Sequence, residues 1–68
     1  METTEDIINK IREMMGEESK KIKELERARE QWKDRGEIEK EAEAKRKMLL
    51  HFGAWFALME LEEFADAD

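Results

Sequence analysis

The apolar positions of this 68-residue chain fall into two runs with different rhythms. In the first half, Ile8, Ile11, Met15, Glu18, Ile22, Leu25, Arg29 and Trp32 recur at alternating spacings of three and four. That is the heptad seam of a helix packed along one side, with Glu18 and Arg29 as polar interruptions. Ile7 and Met14 widen the seam at its start. In the second half, the stretch from Met48 to Met59 is apolar on every helical face except at His51, so it needs cover from several sides at once.

Local signals set the boundaries. Thr3 followed by Glu5 and Asp6 reads as a capping box, with acids at the positive end of a helix beginning near residue 4. Gly16 interrupts this helix at a cost of about 1 kcal/mol relative to alanine, but the seam keeps its phase from Met15 to Ile22, which favours continuity over a break. Asp34, Arg35 and Gly36 read as a stop, with Gly36 suited to the left-handed position after a helix end. A new seam then starts in a different phase: Ile38, Ala42, Lys45, Leu49, Phe52, Phe56 and Met59. The expected architecture is all-α: one domain over residues 1 to 68, an antiparallel hairpin of helices at about 4–35 and 37–65, and a frayed tail at 65–68. Facing residues have numbers that sum to about 70, which brings Phe64 near Ile7. Trp32 is expected to staple the turn against Ile38.

Composition sharpens this picture. Proline and cysteine are absent and glycine occurs three times, as in long helices. A chain this short buries only roughly 60% of its unfolded surface, and small domains make up the shortfall with disulfides, metals or subunits. Without cysteine and with one histidine, subunits remain, so the expectation is a homodimer that forms a four-helix bundle at the apolar open end. Leu50, Trp55 and Leu58 are expected to face away from the intrachain seam. No signal peptide is visible, and the apolar run falls short of the roughly 20 residues of a membrane span, which suggests a soluble cytoplasmic protein.

Charge is unevenly distributed. Residues 1 to 18 carry six acids against Lys10 and Arg12, residues 19 to 47 carry eleven bases against eight acids, and residues 48 to 68 carry five acids and no base. These blocks give −4, +3 and −5, which account for the net charge of −6. Both acidic blocks meet at the open end. The acids of the second helix oppose its macrodipole, a broken local rule that either confers solubility or marks a surface.

Candidate chemistry is sparse. His51 has Lys47, Met48, Ala54 and Trp55 at helical ligand spacings, so no metal site follows and a structural or interface role is expected. No nucleophile lies beside a base, no glycine-rich phosphate loop occurs, and no Glu-x-x-His pattern appears, so no enzyme and no cofactor are expected. Lys20, Lys21, Lys23 and Arg27 lie across the hairpin from Lys45, Arg46 and Lys47. Interspersed acids and the negative net charge argue against nucleic acid as a partner.

The reading that remains is a non-enzymatic protein-interaction module, an inhibitor or adaptor for a protein with a basic or apolar groove. Its expected partner or oligomer interface comprises Leu50, Phe52, Trp55, Phe56, Leu58 and Met59, with Trp55 as anchor and an acidic rim of Glu60, Glu62, Glu63 and Asp66. In general character this is similar to small acidic proteins of phages and mobile elements that block nucleic-acid-handling enzymes. In outline it is also similar to the hairpin chaperones of type III secretion needles, and neither comparison rests on a matching motif. The alternatives are a small assembly or secretion co-chaperone shielding an apolar partner helix, and a purely structural homo-oligomer.

Overall fold

A computed structural model describes residues 3 to 67. It contains two helices, α1 (Thr4–Asp34) and α2 (Ile38–Asp66), folded into an antiparallel hairpin. Both boundaries follow from local chemistry. Thr3 caps α1 reciprocally: its hydroxyl accepts the Asp6 N–H at 3.2 Å while the Asp6 carboxylate accepts the Thr3 N–H at 3.1 Å. At the far end the Gly36 N–H donates to the Lys33 carbonyl and the Glu37 N–H to the Trp32 carbonyl, the two bonds of a Schellman motif. Gly36 makes this possible at φ +70°, a conformation that costs a residue with a Cβ more than it costs glycine. Helix α1 runs unbroken through Gly16. Helix α2 continues through Ala65 and Asp66, and the last position of the expected frayed tail, Asp68, lies outside the described residues.

The molecule is a rod of 51 × 14 × 14 Å whose radius of gyration is 15.6 Å, against about 11 Å for a globule of this length. Two helices side by side have a line of contact rather than a centre. Accordingly only Ile8, Ile11, Ile22 and Ala44 are buried among the described residues. The α1 seam is the expected one: Ile8, Ile11, Met15, Glu18, Ile22, Leu25, Arg29 and Trp32 are all buried or half-buried.

The α2 seam is displaced by one residue from the expected phase, a rotation of about 100° about the helix axis. Its half-buried and buried positions are Glu37, Glu41, Ala44, Met48, His51, Trp55, Leu58, Glu62 and Ala65, again at spacings of four and three, with Met59 half-buried beside Leu58. Ile38, Ala42, Lys45, Leu49, Phe52 and Phe56, expected in the seam, are exposed. The reason lies in the polar positions. Glu41 pairs with Arg29 at 3.8 Å, His51 with Glu18, and Glu62 with Arg12 at 3.5 Å, so away from the turn, where Glu37 pairs with Lys40, each polar interruption on one helix meets a polar group on the other. In the expected phase Glu18 would have faced Phe52, and a half-buried carboxylate against a ring costs more than leaving some apolar surface wet.

At the turn, Trp32 is held differently from the expected staple. Lys40 Nζ stands 4.6 Å and the Arg35 guanidinium 5.4 Å from the ring centroid, so two cations stand against the indole while Ile38 stays 77% exposed.

Because the core is one line of side chains, stability depends on its few filled sites. Ile22→Ala is expected to lower unfolding free energy by about 2 kcal/mol, whereas Leu50→Ala, on the outer surface, should stay within about 0.5 kcal/mol of wild type. Thermal unfolding followed by circular dichroism checks both, and equal effects would refute the seam assignment.

Candidate protein-binding faces

The inner seam sorts the large apolar side chains of α2 that lie outside it, from Leu49 to Phe64, onto two flanks. On the first, Lys45, Leu49, Phe52, Phe56, Met59 and Glu63 follow at spacings of four and three. This flank lies beside Ser19, Lys23 and Glu26 of α1, and a shallow groove of about 300 Å³ between the helices has Ile22 and Trp55 at its base. On the second, Leu50, Ala54, Ala57, Leu61 and Phe64 repeat at the same spacings. They share that side with Ile7 and Met14, which precede the seam residues Ile8 and Met15 on α1. The hairpin register places Ile7 level with Phe64 and Met14 level with Ala57. Leu50 and Phe64 are 74% and 78% exposed, values that ordinary core residues do not show.

The expected interface residues therefore divide between different environments. Leu50, Phe52 and Phe56 lie exposed on the outside, Leu50 on one flank and the two rings on the other. Met59 is half-buried at the edge of the first flank. Trp55 and Leu58, expected to point outward, are half-buried in the intrachain seam, where Trp55 meets the edge of Phe56 with ring centroids 5.3 Å apart. Of the acidic rim, Glu60, Glu63 and Asp66 are exposed, while Glu62 turns into the seam toward Arg12. Leu49, Leu61, Ile7 and Met14 belong to the outer faces and are absent from the expected set. Matching the polar positions of the two helices at a sum of about 70, Glu18 with His51 and Arg29 with Glu41, is the signal that would have placed them.

The single histidine is held inside the seam. His51 Nδ1 meets the Glu18 carboxylate at 2.5 Å, with side chains 31% and 19% exposed, and the pair occupies the middle of the seam rather than the wall of a cleft. Among the described residues no group of acids and histidine is arranged to hold a metal ion, and no helix is long and apolar enough to cross a membrane. Comparison with known proteins returns no match, whether to a family model, a curated protein or a solved structure.

The Glu18–His51 pair should behave as a matched polar insertion in an apolar line. His51→Ala leaves a half-buried carboxylate without its partner and is expected to cost about 1 to 2 kcal/mol. Replacing both residues by leucine should leave stability at or above wild type, since a paired interior charge adds little over a well-packed hydrophobe. Urea midpoints decide: a double-leucine variant as weak as His51→Ala would show that the pair contributes more than satisfaction of Glu18.

Proposed function

We propose that the protein is a non-enzymatic binding module, an inhibitor or adaptor, that offers one face of its open end to another protein. The observation that carries this reading is the exposure of Leu50, Leu61 and Phe64 together with Ile7 and Met14 on one side of the rod, next to two sequence blocks of strongly negative charge. A continuous exposed apolar surface with a charged border is the usual form of a protein-recognition site, whereas scattered single hydrophobes are not. Ala54 and Ala57 leave a low strip between the larger side chains, which suits a helix laid along the hairpin with bulky residues at helical spacing. Glu60 on α2 and Glu13 and Glu17 on α1 border that face and outnumber Lys10, which lies between Ile7 and Met14, so the favoured partner carries lysine or arginine beside its apolar stripe.

The acids contribute chiefly to the speed and selectivity of encounter, and the apolar groups to the lifetime of the complex. This separates the adaptor or inhibitor reading from a co-chaperone that shields an apolar helix, whose grip would persist at high ionic strength. Affinity capture from the protein's own cells, with wild type and a Leu50→Glu/Phe64→Glu variant as baits, tests the proposal. A partner held by wild type, lost by the variant and released as salt rises is expected. Equal recovery by the two baits would remove this face from consideration.

A further inference from the structure

We infer that the other flank, Leu49, Phe52, Phe56 and Met59, is covered by a second copy of the same chain, stacked face to face and antiparallel. These residues form a second heptad seam on α2, outside the one that closes the hairpin. A two-fold axis level with residue 54 makes the seam complementary to itself. Phe52 then faces Phe56 of the other copy, and Leu49 faces its Met59. The same operation sets Lys45 against Glu63 at each end of the apolar patch, so the stripe closes with an opposite-charge pair on both sides. The flank of Leu50 and Phe64 has no such palindrome: its nearest charge on the turn side is Lys47, and no acid stands at the matching place beyond Phe64.

Three further observations agree with this arrangement. The surface area is 5655 Å², whereas a compact monomer of 8.2 kDa exposes about 4,500 Å². The excess is on the order of 1,000 Å², comparable with the roughly 800 Å² that each partner loses in a standard interface. Charge also matches end for end. The antiparallel overlap lays the acidic open end of each hairpin, whose described residues carry −3 on α1 and −4 on α2, along the half of its neighbour that carries +3. A parallel stack would instead set both acidic ends together and place Phe52 and Phe56 against Ser19, Lys23 and Glu26. Finally, the hairpin register puts Gly16 level with residue 54, on the same flank as Lys23. A Cβ at Gly16 would meet nothing within 4 Å inside one chain, so the hairpin itself has no packing need for a glycine there. An axis at that level brings the two α1 helices together at Gly16, where a missing side chain permits close approach.

The arrangement is tested by mass, charge and cross-linking. Light scattering at tens of micromolar should give twice 8.2 kDa for wild type and for Leu50→Glu, and 8.2 kDa for Phe56→Glu with helical circular dichroism retained. Lys45→Glu and Glu63→Lys should each weaken the dimer by about tenfold, since each change sets like charges together at two places, and the double variant should return to within about twofold of wild type. Gly16→Cys, in a chain with no native cysteine, should form a disulfide-linked dimer under mild oxidation, a readout that survives even if Phe56→Glu misfolds. A monomeric wild type, a dimer broken by Leu50→Glu but not by Phe56→Glu, or charge reversals that fail to restore each other would each overturn the inference. Loss of partner capture by Leu50→Glu/Phe64→Glu with the mass unchanged bears only on the proposed function, so the two readings fail separately.

Discussion

The pairing of Glu18 with His51 sets the rotation of α2, and nearly every other feature of the surface follows from it. In a two-helix rod each chain has a single line of contact, and any polar residue on that line must meet a partner across it. Glu18 and Arg29 are committed to the line by the apolar residues that surround them on α1. Helix α2 must therefore turn until His51 and Glu41 face them, and doing so carries Leu49, Phe52 and Phe56 outward. The molecule keeps its polar groups satisfied at the expense of wetting some of its largest apolar side chains. Transfer of a ring from water is worth about 2 kcal/mol, a quantity that a second surface can recover, whereas a carboxylate left without a partner inside the seam has no such remedy.

This trade gives the open end its character. Both outer flanks of α2 between residues 45 and 64 are apolar over several turns, and each lies beside a different strip of α1. One flank ends in opposite charges at matched distances from its centre, which suits a copy of itself. The other is bordered by acids and has a low alanine strip, which suits something basic and different. A single short chain thus exposes two apolar faces back to back, separated by a helical seam about one side chain thick.

Much of the fold was legible in the residues. Thr3 and Asp6, the α1 seam, Gly36 and the antiparallel register each rest on a local signal that nothing else in the chain contradicts. The phase of α2 was not legible from periodicity, because a segment that is apolar all round has no preferred face to read. Between Met48 and Met59 the rhythm of hydrophobic positions fits several rotations equally well, and the largest side chains drew the expectation toward Phe52 and Phe56. The deciding information was carried by the less conspicuous residues Glu41, His51 and Glu62, and it became readable only when both helices were aligned. For the same reason Leu50 lies outside as expected, whereas Phe52 and Phe56, expected in the seam, lie outside it and Trp55 and Leu58, expected outside, lie within it.

The tight turn at Gly36 also governs the order in which the rod comes together. Partners near it, such as Arg29 and Glu41, are separated by a dozen residues, whereas Arg12 and Glu62 are separated by fifty, so the entropy of closing the chain grows steadily with distance from the turn. Chain entropy alone therefore favours closure that starts beside Trp32 and extends toward the apolar end. The end that exposes both apolar faces is therefore the one whose closure costs the most chain entropy. Anything that grips that end acts as a clamp on that closure, and the persistence of the whole rod becomes tied to the company it keeps.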